Sequence, residues 1–178
     1  MEKTNSWKIS SSQKKLLDDL FSEIKVKKIK KVLDIGSGRT SLDYLTNKFK
    51  SLDIKAVVYP GDERKITPIK ECVKNPNYEL IETDIRNLNF NEKFDIVLAH
   101  LFIAEAEKFG RNNINRVLNS LFSIKTNYLI IVNLFKDKVD YNLLLKMISK
   151  KGKILKISYI LSNTKEETIG LLIKKNKN

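Results

Sequence analysis

The chain has 178 residues, of which 42% are hydrophobic and 31% charged, and its formal net charge is +13. That length fits one globular domain whose core buries about 70% of the unfolded surface, and no apolar run approaches the roughly 20 residues that span a bilayer. The first seven residues lack the apolar stretch of a signal peptide, and the single cysteine, Cys72, excludes an internal disulfide and a cysteine metal cage. We therefore expect a cytoplasmic protein with no membrane partner and no metal site.

Apolar periodicity predicts strands and helices that alternate along the chain. The expected helices repeat apolar residues three or four apart, and they cover 11–25, 40–49, 66–74, 112–124 and 140–150. Short apolar runs predict strands at 31–36, 54–59, 78–82, 94–100, 128–134, 153–161 and 167–174. Ser10 to Ser12 and Asp140 are candidate helix caps. Strand–helix alternation indicates an α/β fold with a doubly wound sheet, and the short turn 162–166 requires the last two strands to pair antiparallel.

A glycine turn follows the first predicted strand. Gly36 and Gly38, with Ser37 between them, let the backbone bend sharply and let a ligand approach closely. Such turns commonly bind phosphate, but Asp34 would point into the same crevice and oppose a pyrophosphate. Ser41 also stands where a dinucleotide fingerprint has its third glycine. The residues therefore favour a ligand with a cationic end, the alternative being an ordinary strand–helix turn without a ligand.

The run Val32-Leu33-Asp34-Ile35-Gly36-Ser37-Gly38 resembles the first motif of class I S-adenosylmethionine-dependent methyltransferases. The resemblance covers nearly the whole chain from residue 31 onward. It implies a seven-stranded, mostly parallel sheet with an antiparallel C-terminal hairpin, the last strand inserted beside the fifth. Residues 1–30 would be a helical extension and 31–178 a Rossmann-like core, together one domain. It further implies S-adenosylmethionine as cofactor, with its amino acid end held by Asp34 and the glycine turn.

Ligands of open α/β sheets bind at the carboxyl ends of the strands, so the ends of the next two strands supply further candidates. In the family an acid after the second strand binds the ribose hydroxyls. Here Tyr59 holds that position and Asp62 follows three residues later, so Asp62 is the expected ribose ligand unless it only decorates a turn. The resemblance places Asp84 near the adenine amino group, unless it is a turn cap, and Ile85 against the purine.

The only histidine, His100, ends the fourth predicted strand. In the family this corner faces the methyl group, so His100 is a candidate cofactor contact and a candidate catalytic base, with a structural role as the alternative. The residues after it do not form the Asn/Asp-Pro-Pro-aromatic signature of enzymes that methylate amino nitrogens of bases.

The sequence thus predicts a methyltransferase whose acceptor is RNA or a small molecule, the alternative being a catalytically inactive binding or scaffold subunit. Asp34 and Ser41 disfavour a nicotinamide oxidoreductase. Lysine accounts for 29 of the 34 basic residues, which indicates either an RNA-binding surface or a solvated lysine coat. Aromatic residues do not interleave with the densest runs, which are Lys25, Lys27, Lys28, Lys30 and Lys31, and Lys150, Lys151, Lys153 and Lys156. The sequence specifies neither the acceptor nor the oligomeric state.

Overall fold

The computed structural model describes residues 10–49, 51–72, 78–100, 111–135, 141–161 and 167–176. Its α-helices are α1 (Ser11–Ser22), α2 (Arg39–Lys48), α3 (Glu63–Cys72), α4 (Arg111–Ser123) and α5 (Tyr141–Lys151). Its strands are β1 (Lys31–Ile35), β2 (Asp53–Val58), β3 (Tyr78–Glu82), β4 (Phe94–His100), β5 (Thr126–Phe135), β6 (Gly152–Leu161) and β7 (Glu167–Lys175). Short 3-10 helices cover Val26–Lys28 and Ile85–Asn87. The expected alternation of strands and helices is confirmed.

The seven strands form one sheet in the order β3-β2-β1-β4-β5-β7-β6. Strand β7 pairs antiparallel with β5 and β6, while the other neighbouring pairs are parallel. This confirms the antiparallel C-terminal hairpin and the insertion of the last strand beside the fifth. The chain moves outward from β1 to β3 and then returns to the opposite side of β1 as β4. The strand order therefore reverses between β1 and β4, which is where such sheets open a ligand crevice.

Helices cover both faces of the sheet, as expected. Buried residues of α1, α2 and α3 pack on one face together with Val32 of β1 and Leu98 of β4. Buried residues of α4 and α5 pack on the other face together with Leu33 and Val97. Because side chains alternate between faces along a strand, Asp34 lies on the α1–α3 face, like Val32.

Helix α1 is packed into the core through its apolar face. Ser10 caps it by accepting the backbone N–H of Gln13 at 3.2 Å, as its position in the sequence predicted. A Cβ built on Gly170 of β7 would lie 2.6 Å from Leu20 Cδ1, so the glycine lets helix and strand approach closely. The assignment of residues 1–30 to an extension of one domain remains a prediction.

Element boundaries differ from the sequence expectation most clearly at the end of α1, the start of α3 and the start of β5. Helix α1 ends at Ser22, where the backbone N–H of Ile24 bonds back to Phe21. Helix α3 begins at Glu63 because the carbonyl of Asp62 accepts the first helical N–H groups. Strand β5 begins at Thr126, a polar residue that the apolar pattern missed but that pairs with β4. The expected cap Asp140 and the turn 162–166 lie outside the described residues.

Among the helices described, none is both long and apolar enough to cross a bilayer. Within the described residues, no group of three or more His, Cys, Asp and Glu side chains is placed to hold a metal ion.

Candidate functional site

The turn between β1 and α2 has the geometry that its two glycines predicted. Gly36 adopts a φ of 70°, a left-handed conformation that side chains with a Cβ rarely adopt. Gly38 is extended at the N-cap of α2, and a Cβ built on it would meet no atom within 4 Å. The backbone N–H of Ser37 donates to Val57 O at 2.9 Å, which ties the turn to β2. The turn therefore leaves open space directly in front of its backbone.

Asp34 lies beneath this turn and is completely buried. Its Oδ2 accepts the hydroxyls of Ser37 at 2.5 Å and of Ser41 at 2.7 Å. Its Oδ1 is buried without a hydrogen-bond partner in the described structure. Burial raises the pKa of Asp34 to about 6, although both serine hydrogen bonds act in the opposite direction. A buried carboxylate with one free oxygen is a strong acceptor for a cationic group that enters the crevice.

His100 lies beside Asp34 on the neighbouring strand. Asp34 is in register with Leu98 of β4, and His100 follows two residues later, so both side chains project from the same face. The imidazole is 6% exposed, and its Nε2 is also buried without a partner in the described residues. Burial lowers the pKa of His100 to about 4, with a further contribution from Lys65, so the ring is neutral at physiological pH.

Lys65, in the first turn of α3, is a third member of this group that the sequence analysis missed. Its positive charge contributes to lowering the pKa of Asp34 and of His100, so its ammonium group acts on both. The available signal was its place in the first turn of the helix after β2, at the carboxyl edge of the sheet. Lys65 therefore adds a positive charge near Asp34 and His100.

The turn after β2 carries Tyr59 and Asp62. Tyr59 is 42% exposed, and Gly61 adopts a φ of 73° in the turn that follows. The carbonyl of Asp62 accepts the backbone N–H groups of Lys65 at 2.9 Å and Ile66 at 3.0 Å. Asp62 therefore starts α3 at the carboxyl edge of the sheet. A role of either residue in binding a ribose remains a prediction.

After β3, Asp84 is the cap that the sequence offered as its alternative role. It begins the 3-10 helix Ile85–Asn87 by accepting the backbone N–H of Arg86 at 2.9 Å. The Arg86 side chain also binds the carboxylate through Nε and a terminal nitrogen. These bonds hold the pKa of Asp84 below its usual range. Ile85 is half-buried against the α4–α5 core, and contacts of Asp84 and Ile85 with an adenine ring remain predictions.

The structure thus brings together Asp34, Ser37, Gly38 and His100, with Lys65 beside them, at the reversal point of the strand order. Tyr59, Asp62, Asp84 and Ile85 lie at the ends of the next two strands along the same edge. In the sequence, Ser41 was notable only because it replaces the third glycine of a dinucleotide fingerprint. In the structure, its hydroxyl donates to Asp34 and accepts the N–H of Gly38. The segment 101–110, which the resemblance placed near the methyl group, lies outside the described residues.

Comparison with known proteins connects this architecture to one group of enzymes. No family model and no curated protein sequence matches the chain. Among solved structures, the N-methyltransferase NodS from Bradyrhizobium japonicum WM9, in complex with S-adenosyl-L-homocysteine, superposes with a TM-score of 0.72 at 9% identity, over 94% of this chain and 89% of that chain. The 1,6-didemethyltoxoflavin-N1-methyltransferase of Burkholderia thailandensis, with bound 1,6-didemethyltoxoflavin and S-adenosylhomocysteine, gives a TM-score of 0.68 at 12% identity, over 94% of this chain and 79% of that chain.

An rRNA methylase from Escherichia coli gives a TM-score of 0.60 at 21% identity, over 90% of this chain and 63% of that one. These enzymes include one that acts on rRNA and one that acts on 1,6-didemethyltoxoflavin, and all three superpose on at least 90% of this chain. At these identities the likeness concerns the fold. The chain has the class I S-adenosylmethionine-dependent methyltransferase fold.

Proposed function

We propose that this chain is an S-adenosylmethionine-dependent methyltransferase. The proposal rests on the Asp34 carboxylate, which is buried beside an open glycine turn and has one oxygen without a hydrogen-bond partner in the described structure. Its pKa is raised by this burial. Folding a carboxylate into such a position is costly, and a cationic ligand in the crevice would remove most of that cost. In this fold the ligand with a cationic amino acid end is S-adenosylmethionine.

The residues of the carboxyl edge fit the parts of this cofactor. Asp34 would accept the methionine ammonium group, and the open space at Gly38 would admit the cofactor close to the backbone. Tyr59 or Asp62 would contact the ribose. Asp84 and Ile85 would contact the adenine, with Arg86 holding the Asp84 carboxylate in a fixed orientation.

The cofactor supplies a methyl group already activated by a sulfonium, so the protein mainly aligns the acceptor and excludes water. The neutral ring of His100 is a candidate to orient the acceptor, since its Nε2 has no partner in the described structure. With a pKa of about 4, this ring holds a proton poorly at neutral pH. We therefore assign His100 a positioning role. The acceptor would then be a group that loses its own proton readily, without a strong base from the protein.

The acceptor is RNA or a small molecule. Solved structures of similar fold include both an rRNA methylase and enzymes of small acceptors, which supports either class.

Isothermal titration calorimetry with S-adenosylhomocysteine and S-adenosylmethionine tests the proposal. We expect both to bind the wild-type chain in the micromolar range, and Asp34→Ala to lose at least ten-fold in affinity. Asp53→Ala, which removes an exposed carboxylate at the opposite end of β2, is the matched control and should bind like wild type. Absence of binding by both ligands would contradict the proposal and leave a scaffold subunit. Binding of NADH instead would indicate an oxidoreductase.

A further inference from the structure

The amino edge of the sheet, opposite the cofactor crevice, carries a line of lysines. Five neighbouring strands, β1, β4, β5, β7 and β6, each have an exposed lysine at or next to their end on this edge. We call these residues the lysine row: Lys30, Lys93, Lys125, Lys174 and Lys153. Neighbouring strands are about 4.8 Å apart, so the row spans about 19 Å across the sheet. Lys174 and Lys153 are set back along the strands, because Lys174 pairs with Tyr128, three residues from Lys125.

Backbone pairing brings these lysines together in space. The carbonyl of Lys125 accepts the N–H of Phe94, which places Lys93 and Lys125 side by side. Lys153 and Lys174 lie directly opposite each other in the β6–β7 ladder. Like charges in directly opposed positions destabilise a sheet, so this arrangement is not favoured by folding alone.

The acidic residues at this edge offset at most part of the positive charge of the row. Glu92 and Asp53 are ion-paired with Lys31 and Lys55, which are not members of the row. Asp95 accepts the backbone N–H groups of Lys30 at 2.9 Å and Lys31 at 3.1 Å. Among the described residues, no ion pair within 4.0 Å involves a lysine of the row. The positive field of the row is therefore exposed to solvent and to partners.

Further exposed lysines extend the row at both of its ends. They lie in and just before the 3-10 helix that precedes β1, and at the end of α5, and they are Lys25, Lys27, Lys28, Lys150 and Lys151.

The geometry points to the phosphate backbone of a nucleic-acid duplex as the partner of the lysine row. Lysines are compact point charges that attract phosphates without reading sequence, and a line of them matches a linear polyanion. The large exposed hydrophobic residues in the described structure are Tyr59, Leu155, Ile157 and Tyr159, and none belongs to the row. Leu155 lies two residues along β6 from Lys153, whereas the exposed aromatic residues are farther away: Tyr59 follows the carboxyl end of β2, and Tyr159 lies six residues along β6 from Lys153. The described residues therefore place no exposed aromatic side chain beside the row for stacking single-stranded bases.

The row is separated from the proposed cofactor crevice by the length of β1. Five residues of strand correspond to about 17 Å, so a duplex bound to the row leaves the crevice open. This interaction is independent of the proposed methyl transfer, and the two can be tested on the same protein.

The test compares two triple variants with the same change in net charge. Lys93→Glu/Lys125→Glu/Lys153→Glu replaces three of the five lysines of the row, including Lys125 at its centre. Lys14→Glu/Lys15→Glu/Lys70→Glu changes three equally exposed lysines on α1 and α3. Binding is measured by fluorescence anisotropy with a labelled 20-nucleotide RNA stem-loop and a DNA hairpin of the same sequence, between 50 and 200 mM salt.

We expect the row variant to bind the hairpins at least ten-fold more weakly at 150 mM salt. The slope of log K against log salt concentration should become less steep by about 2 to 3, because each lost phosphate contact removes about 0.7 to 0.9 from the slope. The control variant should change affinity less than three-fold. The relative affinities of the two hairpins identify RNA or DNA as the natural source of the backbone.

Equal weakening by both variants, or no saturable binding of either hairpin by wild type, would overturn the proposal. So would row-dependent binding to phosphatidylserine vesicles without binding to the hairpins. Thermal unfolding verifies that both variants fold, and Lys93→Gln/Lys125→Gln repeats the test with a milder change. If the hairpins bind while S-adenosylhomocysteine does not, only the proposed function fails. If S-adenosylhomocysteine binds and the hairpins do not, only this inference fails.

Discussion

Replacing Asp34 by Asn should stabilise the unliganded protein while removing its ligand affinity. Asn has nearly the same shape as Asp and still offers an oxygen to Ser37 and Ser41. It carries no charge, so the cost of burying an ionised carboxylate disappears. A stabilising change at this fully buried polar residue of the crevice would show that the position is maintained for binding.

The magnitude follows from the pKa of Asp34. Burial raises it from 3.8 to about 6, so the folded state favours the protonated carboxyl. Above pH 6 the ionised group destabilises the fold by about 3 kcal/mol, and this penalty falls to about half at pH 5 as the carboxyl takes up its proton. Unpaired amide N–H groups of the Asn offset part of the gain. We expect Asp34→Asn to gain about 1 to 2 kcal/mol at pH 8 and little or nothing at pH 5.

Urea unfolding followed by circular dichroism at pH 8 and pH 5 measures this difference. Asp53→Asn, at an exposed carboxylate, is the matched control and should change the free energy of unfolding by less than about 0.5 kcal/mol at either pH. Calorimetry on the same samples should show that Asp34→Asn no longer binds S-adenosylhomocysteine. Our reasoning is wrong if Asp34→Asn is less stable than wild type at pH 8 and the loss of stability is the same at pH 5. That result would mean that the folded protein already compensates the charge of the carboxylate.

Three further predictions concern the same crevice. Gly38→Ala should change the free energy of unfolding by less than about 1 kcal/mol, because its Cβ meets open space, but should weaken S-adenosylhomocysteine binding at least ten-fold. Gly36→Ala should instead destabilise the fold by about 1 to 2 kcal/mol, because its φ is positive. Denaturant titration measures the stability of both variants, and calorimetry measures their ligand affinity. Affinity for S-adenosylhomocysteine should fall about ten-fold per pH unit below pH 6, as Asp34 becomes protonated, and calorimetry across pH 4.5–8 that shows a constant affinity would exclude this carboxylate as the ligand. Lys65→Met should improve affinity for S-adenosylmethionine, because it removes a positive charge that repels the sulfonium of this ligand. The improvement should be roughly two- to five-fold larger than for S-adenosylhomocysteine, which lacks the sulfonium charge. An equal change in affinity for both ligands would place Lys65 away from the sulfur.

The sequence predicted the order and type of the described elements because each is encoded by a local pattern. Apolar spacing reports which side of a helix or strand is buried, and that spacing was clear in elements such as α4 and β4. The predicted boundaries were wrong where a polar residue continues a strand, as at Thr126, and where backbone hydrogen bonds extend a helix, as at Asp62. The glycine turn was also predictable, since Gly36 needs a backbone conformation that other residues rarely adopt.

The sequence by itself therefore determined the elements, the turn after β1 and the acid beneath that turn. Only the tertiary structure decided that His100 and Lys65 lie near Asp34, that Arg86 holds Asp84, and that five lysines from distant segments form one row. Local periodicity reports the burial of one element at a time. The meeting of residues from different elements depends instead on strand order and register, which are set by packing of the whole sheet.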